Sequence, residues 1–175
     1  MRIVIIGNSG SGKTWLAQRL APPLQAAIVH LDDVFWVNGG YDIQRPPQEV
    51  AARIAESKAR PRWVVEGVFG QLAARYLDVA DALVWLDIPW KTCETRLRAR
   101  GSESKAHMNR HQSEQGLQKL LLWACAYTTR DGDCSESGHR QLFESFTRLR
   151  HCIQDEAQAV ELVRAGFPQP AIGRP

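Results

Sequence analysis

A short apolar run leads directly into a glycine-rich loop at the start of the chain, and this junction limits which folds the chain can adopt. Residues 1–6 read MRIVII and residues 7–14 read GNSGSGKT. The second segment matches the P-loop pattern G-x-x-x-x-G-K-[ST], in which successive backbone N–H groups bind phosphate oxygens. Residues 15–20 carry apolar side chains at helical spacing, so we expect a helix N-terminus beneath the phosphates. The sequence therefore predicts a strand–loop–helix unit that binds a nucleoside triphosphate.

The loop residues have different expected roles. Glycines at positions 7, 10 and 12 allow φ angles that a Cβ would exclude, and they let the backbone approach an anion closely. Lys13 is expected to contact the β- and γ-phosphates, and the Thr14 hydroxyl to coordinate Mg²⁺. ATP and Mg²⁺ are therefore the predicted cofactors. The predicted nucleotide-binding residues are Gly7, Asn8, Ser9, Gly10, Ser11, Gly12, Lys13 and Thr14.

The length and composition are those of one ordinary globular domain. The chain has 175 residues, of which 44% are hydrophobic and 23% charged. No apolar run approaches the length of a membrane span, and four cysteines without a C-x-x-C pair favour a reducing cytoplasm. A net charge of +3 is too small to indicate direct nucleic-acid binding. We predict one domain over residues 1–165, a flexible tail over residues 166–175 and a cytoplasmic location, and the sequence leaves the oligomeric state open.

Short apolar runs alternate with helical patterns along the rest of the chain, which is typical of a parallel α/β sheet. Because ligands bind at the carboxyl ends of parallel strands, the residues that follow each strand are candidates for the site. The predicted strands cover residues 3–6, 27–31, 63–65 and 83–86, with a weaker candidate at 145–149. The predicted helices cover residues 13–20, 47–59, 91–100, 115–127 and 155–165.

Acidic residues follow three of these strands. Asp32 and Asp33 follow the second strand, Glu66 the third and Asp87 the fourth. Mg²⁺ is usually held by a few carboxylates, waters and phosphates, and Glu66 is the first candidate because its strand is expected beside the P-loop strand. Asp32 or Asp33 is expected to orient the acceptor hydroxyl or to accept its proton. Capping by Asp32 and a turn at Asp87 are the alternative interpretations.

Two arginines follow the fourth strand at a spacing that places them on one helix face. Arg96 and Arg100 are four residues apart, whereas Arg98 points elsewhere. Guanidinium groups bind phosphate bidentately and stabilise charge during transfer. The polar segment 101–115 is predicted to be a lid that closes over the phosphates, and an exposed basic helix with a solvent loop is the alternative.

The segment 32–62 is predicted to be a helical insert that binds a small-molecule phosphoryl acceptor. It contains Phe35, Trp36 and Tyr41, which either line the acceptor pocket, stack on a base or belong to the core. The predicted acceptor ligands are Asp32, Asp33, Arg45, Glu66 and Arg75, and the predicted catalytic residues are Lys13, Asp32, Arg96 and Arg100.

Four segments together resemble a known group of proteins. MRIVIIGNSGSGKT, HLDDVFW, WVVEGVFG and ADALVWLDIPWKTCETRLRAR resemble the adenylate-kinase-like P-loop proteins labelled topology modulation proteins (FlaR-related). The resemblance covers residues 1–100 and is looser over 115–165. It implies a three-layer P-loop NTPase whose parallel five-stranded sheet has the order 2-3-1-4-5, with an acceptor-binding insert and a lid. It also implies that Glu66 acts on Mg²⁺ through water, that Arg96 and Arg100 stand at the lid entrance, and that Arg130 is a later lid-side arginine.

One departure from that group bears on the acceptor. Adenylate kinases follow the acid with Gly-Phe-Pro-Arg, whose arginine binds the acceptor phosphate, whereas residues 66–70 here read EGVFG. The first hypothesis is a kinase that transfers the γ-phosphoryl of ATP to a nucleotide or nucleoside. The second is a kinase of a hydroxylated metabolite, as in shikimate or gluconate kinases. The third is an ATP-dependent regulatory ATPase linked to DNA topology, and no DNA-reading motif accompanies it.

Overall fold

Five parallel strands form the central sheet in the predicted order, β2-β3-β1-β4-β5. In this computed structural model, which describes residues 1–37, 43–101 and 110–167, β1 lies between β3 and β4. The P-loop that follows β1 is therefore flanked by the ends of both neighbouring strands. The strands are β1 (Arg2–Gly7), β2 (Ala27–His30), β3 (Trp63–Gly67), β4 (Ala82–Leu86) and β5 (Leu149–Ile153).

The described part of the chain contains eight α-helices and one short 3₁₀ helix, Ala126–Thr128. Within the same ranges, no helix is both long enough and apolar enough to cross a lipid bilayer. The helices are α1 (Lys13–Leu24), α2 (Leu31–Phe35), α3 (Pro47–Lys58), α4 (Gly70–Leu77), α5 (Trp90–Arg100), α6 (Arg110–Cys125), α7 (Glu136–Ser145) and α8 (Glu156–Ala165).

The alternation of side chains along β1 divides the core between the two faces of the sheet. Ile3 and Ile5 pack on one face with residues of α1 and α8, whereas Val4 and Ile6 pack on the other with residues of α3 and α4. All four side chains are fully buried. Helices thus cover both faces, which gives the predicted three layers and explains the continuous apolar runs of the central strands.

The strand register brings the site residues together at the carboxyl ends of the strands. Ile5 of β1 pairs with Glu66 of β3, and His30 at the end of β2 pairs with the same glutamate. Gly7, the last residue of β1, pairs with Leu86 at the end of β4. Since the strands are parallel, their carboxyl ends and the P-loop meet at this end of the sheet.

The prediction of a strand over residues 145–149 is wrong. β5 spans Leu149–Ile153, and residue 145 is the last residue of α7. β5 is an edge strand with one neighbour, so exposed positions such as Arg150 alternate with more buried ones and weaken its apolar pattern. The helices α4 and α7 were not predicted, because α4 is only eight residues long and α7 is rich in polar residues.

Parts of three predicted segments lie outside the described residues. They are residues 38–42 of the insert, which include Tyr41, residues 102–109 of the lid and residues 168–175 of the tail. Within the described part, α2 and α3 belong to the insert and α6 begins inside the predicted lid. Phe167 is buried, and its ring centroid lies 5.4 Å from that of His151. The packed part of the chain therefore extends beyond the predicted domain end at residue 165.

Candidate functional site

A cleft of about 1160 Å³ opens where β1, β2 and β3 end. It brings together residues of the P-loop, the acids of α2 after β2, the glutamate near the end of β3, and the two arginines of α5. Of the predicted site residues, the cleft is lined by Ser9, Gly10, Gly12, Lys13, Thr14, Asp32, Asp33, Glu66, Arg96 and Arg100.

The P-loop backbone has the conformation expected of a phosphate cradle. Gly10 has a φ of +79°, and a Cβ there would lie 2.6 Å from the carbonyl oxygen of Cys93. Gly12 has a φ of +102° and precedes α1 without any side-chain cap. The first N–H groups of α1 therefore have no side-chain partner at this cap, and they are suited to an anion in the cleft.

Asn8 ties the P-loop to a distant helix rather than facing the cleft. Its side chain is buried, its Oδ1 accepts a hydrogen bond from Ser9 N at 2.8 Å, and its Nδ2 donates to the carbonyl of Ala124 in α6 at 2.9 Å. Ser11 is also buried, and its Oγ has no hydrogen-bond partner among the described residues. The side chains of these two predicted nucleotide ligands thus lie behind the cleft surface.

Lys13 lies at the centre of the charged groups. Its Nζ donates to the carbonyl of Asn8 at 2.9 Å. Burial lowers the pKa of Lys13, although the carboxylates of Glu66 and Asp32 oppose this shift. The ammonium group is therefore held between the loop backbone and two acids, which is where a phosphate would compete for it.

Glu66 accepts two hydrogen bonds on one carboxylate oxygen. Its Oε1 lies 2.9 Å from Thr14 Oγ1 and 2.6 Å from His30 Nδ1, and the side chain is only 4% exposed. Burial alone would raise the pKa of Glu66, but the His30 hydrogen bond, the Lys13 charge and the Thr14 hydroxyl lower it. The hydrogen bond to Glu66 in turn raises the pKa of His30. These contacts therefore favour the ionised form of Glu66.

The Thr14–Glu66 pair fits the requirements of Mg²⁺. Hydroxyl and carboxylate oxygens are hard donors, and Mg²⁺ usually keeps several waters and substrate phosphates among its ligands. Among the described residues, no group of three His, Cys, Asp or Glu side chains is arranged to hold a metal by itself. A metal at Thr14 and Glu66 would therefore need ligands from the nucleotide and from water.

Asp32 differs electrostatically from Glu66 although both line the cleft. Burial raises the pKa of Asp32, with Lys13 acting in the opposite direction and Glu66 in the same direction. A carboxyl group whose pKa is raised is a better proton acceptor near neutral pH. Asp33, the next residue, is exposed and also lines the cleft.

The two arginines of α5 face the P-loop as their spacing predicts. Arg96 donates to the carbonyl of Ser11 at 3.0 Å and to Glu156 Oε2 at 3.1 Å. Arg100 lines the cleft one turn further along the helix. Arg98 instead pairs with Glu94 at 2.7 Å, on another face.

An aromatic wall closes the cleft on the side of α2 and α4. It consists of Phe35, Trp36 and Phe69, with ring centroids 4.7 Å apart for Phe35 and Trp36 and 4.6 Å for Phe35 and Phe69. All three rings are half-buried and line the cleft, so they present an apolar surface to a ligand. Phe69 was not predicted, and its position three residues after Glu66 was the available signal.

The loop before α7 adds Asp133, which the sequence did not single out, and Arg130, which the resemblance had suggested as a lid-side arginine. Asp133 Oδ2 accepts a hydrogen bond from Gln71 N at 3.0 Å, at the start of α4, and both residues line the cleft. Arg130 lies 3.6 Å from the ring centroid of Trp123 and donates to the carbonyls of Trp123 and Cys134. Asp133 and Gln71 meet only in the folded chain, so no local pattern predicts them.

Outside the P-loop, three further candidates from the sequence are not brought to the cleft. Arg45 donates to Glu49 Oε1 at 2.5 Å and to the carbonyl of Asp33 at 3.3 Å. Arg75 is exposed on α4, and Asp87 accepts from Gln154 at 3.3 Å. None of the three lines the cleft, so the structure gives no support to acceptor binding by these arginines.

Comparison with known proteins identifies the fold. No protein-family model and no curated protein matches the sequence. Among solved structures, a deoxyadenosine kinase from M. mycoides with dCMP and dCDP bound is similar, with a TM-score of 0.54 and 14% identity over 94% of this chain and 97% of that chain. A shikimate kinase from Bacteroides thetaiotaomicron has a TM-score of 0.50 and 16% identity over 94% of this chain and 95% of that chain.

A shikimate kinase from Aquifex aeolicus is similar to the same degree. Its TM-score is 0.50 and its identity 15%, over 94% of this chain and 92% of that chain. The likeness therefore spans nearly the whole chain in three structures of two kinds of kinase. Together with the strand order and the P-loop, it shows that this chain has the P-loop kinase fold.

Proposed function

We propose that this protein is an ATP-dependent kinase that transfers the γ-phosphoryl group to a nucleotide or nucleoside. The observation that carries the proposal is that one cleft contains the P-loop with Lys13, the acid Asp32 of α2 and the adjoining aromatic wall. Phosphoryl transfer depends mainly on positioning and on charge stabilisation. In this cleft the phosphate cradle would stabilise the charge, and the separate apolar wall would position the acceptor.

The donor half of the site would consist of the P-loop, Lys13 and the arginines of α5. The backbone N–H groups after Gly12 would bind phosphate oxygens, and Lys13 would exchange its bond to the Asn8 carbonyl for the phosphates. Arg96 and Arg100 would stabilise the negative charge on the transferred group. When bound, Mg²⁺ would neutralise phosphate charge, held by Thr14 directly and by Glu66 through water.

The acceptor half would position a hydroxyl group at Asp32. The acceptor oxygen would form a bond to the γ-phosphorus while the bond from that phosphorus to the β–γ bridging oxygen breaks. Asp32 would accept the hydroxyl proton, and its raised pKa suits that role. A base or another flat group would pack on Phe35, Trp36 and Phe69.

The resemblance to topology modulation proteins remains part of this proposal. The solved structures share the fold but not that group's label. Nothing in the cleft favours a regulatory ATPase over a kinase, because the acceptor half has its own wall and its own acid. We therefore place the transfer reaction first.

The experiment is an acceptor screen with ATP and Mg²⁺, with ADP formation measured by a coupled assay. We expect at least one nucleoside or nucleotide to raise ADP formation well above the acceptor-free rate. The same acceptor should give no increase with Lys13→Ala, which is the matched control for contaminating kinases. ADP formation that no acceptor increases would refute the proposal.

A further inference from the structure

We propose that the acceptor carries no anionic group: it is an unphosphorylated, hydroxyl-bearing compound, neutral or cationic, with a flat or apolar face. This inference rests on the proposed function, because it concerns the acceptor half of that same cleft. Among the acceptors of the proposed function, it favours nucleosides over nucleotides. It equally disfavours the sugar acids and cyclic acids that other kinases of this fold class phosphorylate.

The cleft is electrostatically divided. Its donor half carries positive charge from Lys13, Arg96 and Arg100, all close to the P-loop. The aromatic wall is instead bordered by Asp32, Asp33 and Asp133, which all line the cleft. One half therefore suits the phosphates of ATP, and the other repels an anion.

The acidic border and the aromatic wall form one continuous surface. Asp32 and Asp33 lie on α2 with Phe35, whose ring centroid is 4.6 Å from that of Phe69. Asp133 accepts from the backbone of Gln71, two residues after Phe69. The carboxylates therefore adjoin the aromatic wall along α2 and, through Gln71, at the start of α4.

No lysine or arginine on the described parts of α2 and α4 lines this surface. Arg75 of α4 is exposed outside the cleft, and Arg45 is paired with Glu49 with only 10% of its side chain exposed. Residues 38–42, which lie outside the described structure, read NGGYD and add no basic side chain. Among the described residues, the insert thus places no lysine or arginine in the cleft that could bind an acceptor phosphate.

Arg130 and His30 approach the surface, and both are already engaged. Lys119 also lines the cleft, but it enters from α6, whose Leu117 and Leu120 pack on Leu97 of α5 beside the donor half. Arg130 donates to the carbonyls of Trp123 and Cys134 and stacks on the Trp123 ring at 3.6 Å. His30 Nδ1 lies 2.6 Å from Glu66 Oε1, so this ring nitrogen is already occupied by the carboxylate. An anionic acceptor would have to displace backbone or carboxylate partners to reach either group.

The remaining chemistry of the surface favours an uncharged or positively charged ligand. Aromatic faces contact flat rings and attract cations. Gln44 and Gln71 line the cleft and carry both donors and acceptors without net charge. These groups would orient the hydroxyls or the ring nitrogens of a nucleoside, or the amine of an amino sugar.

The test compares matched acceptors that differ in charge. Adenosine and deoxycytidine are paired with AMP and dCMP, and myo-inositol and glucosamine with shikimate and gluconate, each with ATP and Mg²⁺. We expect kcat/KM for the best neutral or cationic acceptor to exceed that of every anionic one roughly tenfold or more. Comparison of the nucleosides, myo-inositol and glucosamine then shows which class of uncharged or cationic compound is the acceptor.

A charge variant tests the cause of the discrimination. Asp33→Asn keeps the shape of an exposed border residue and should strengthen inhibition by AMP or dCMP by about two- to fivefold. Asp78→Asn makes the same change on an exposed acid outside the cleft and should leave that inhibition unchanged. Equal inhibition constants in the wild type and in Asp33→Asn would contradict the electrostatic explanation.

The outcomes separate this inference from the proposed function. Faster phosphorylation of AMP, dCMP, shikimate or gluconate than of every neutral or cationic compound would overturn the inference and leave the kinase proposal intact. ADP formation that no compound of either charge class increases would refute the kinase proposal, and the inference with it. Preference for a neutral or cationic acceptor that Lys13→Ala abolishes would support both.

Discussion

His30 Nδ1 and Glu66 Oε1 lie 2.6 Å apart, and the same two residues are paired in the register of β2 and β3. The sheet itself therefore sets this contact, and Thr14 approaches the same carboxylate oxygen from α1 at 2.9 Å. A carboxylate held from two elements has one orientation toward the P-loop. His30 acts on the cleft through Glu66, which makes it a positioning residue in the proposed reaction.

His30→Asn should lower kcat about tenfold at saturating Mg²⁺, because loss of an outer partner of a ligand typically costs ten- to a hundredfold. KM for ATP should change less, since the P-loop contacts remain. The concentration of Mg²⁺ needed for half-maximal activity should rise. Steady-state kinetics over a Mg²⁺ titration measure all three values.

The double variant His30→Asn/Glu66→Gln supplies the control for this prediction. If His30 acts only by orienting Glu66, losing His30 has little further effect once Glu66 is replaced. The loss of kcat in the double variant should then be smaller than the combined losses of the two single variants. Additive losses would instead place His30 in direct contact with a substrate.

Asp32→Asn should lower kcat by roughly 10²–10⁴-fold with a smaller change in the KM of the acceptor. Asparagine can still bind the hydroxyl but cannot accept its proton. Asp33→Asn is the matched control on the adjacent, exposed position, and it should keep kcat for a neutral acceptor within about threefold. Equal losses in the two variants would remove the proton-accepting role from Asp32.

Gly10→Ala should destabilise the nucleotide-free protein more than Gly132→Ala. Both glycines have positive φ, +79° and +94°, so each alanine meets backbone strain of about 1–2 kcal/mol. At Gly10 the new Cβ also lies 2.6 Å from the Cys93 carbonyl, whereas nothing lies within 4 Å at Gly132. We expect about 1–3 kcal/mol of additional loss in the free energy of unfolding.

Urea unfolding of the two alanine variants measures this difference directly. The comparison cancels the φ strain that they share and isolates the steric clash against α5. Equal midpoints would mean that the P-loop and α5 separate without cost.

Stability should fall in mild acid because of His139. Its Nδ1 accepts from Tyr127 OH at 2.7 Å, its Nε2 donates to the Val68 carbonyl at 2.9 Å, and burial lowers its pKa from 6.5 to about 4. The folded protein keeps this ring neutral, whereas the unfolded chain binds a proton below pH 6.5. The neutral ring's contribution to the free energy of unfolding is therefore fully present above pH 6.5. As the pH falls to 4 this contribution is lost, and the free energy of unfolding decreases by about 3 kcal/mol in total.

His139→Gln should reduce this pH dependence. The variant is expected to be less stable at pH 7 because it cannot keep both hydrogen bonds, but its unfolding free energy should fall less between pH 7 and pH 5. Because all other titrating groups are present in both proteins, the difference in slope belongs to His139. Parallel curves from urea unfolding at the two pH values would show that His139 is not the cause.

The sequence predicted the donor half of the cleft well because that half depends on local patterns. A P-loop needs only a strand, glycines and a helix start, and Arg96 and Arg100 share a face by their spacing. The same reasoning placed Asp32 and Glu66 at strand ends, and the structure brings both to the cleft. The strand order followed from the resemblance to P-loop kinases.

The acceptor half was less predictable because distant segments build it. Asp133 meets Gln71 across 62 residues, and Arg130 stacks on Trp123 at a helix end, which no periodic pattern specifies. Arg45 had a readable local signal, since Glu49 stands four residues away and forms its ion pair. The fifth strand was misplaced because an edge strand has a weak apolar pattern.

The hydrogen bond from Asn8 to Ala124 joins residues 116 positions apart. β1 also lies between β3 and β4, which are synthesised much later because they begin only at Trp63 and Ala82. During synthesis the P-loop thus emerges well before α5 and α6, which supply its contacts through Arg96 and Ala124. Contacts of this separation form late, because the chain must close a long loop before they stabilise it. An unfinished chain that ends before α6 therefore lacks the anchor that fixes its own first loop.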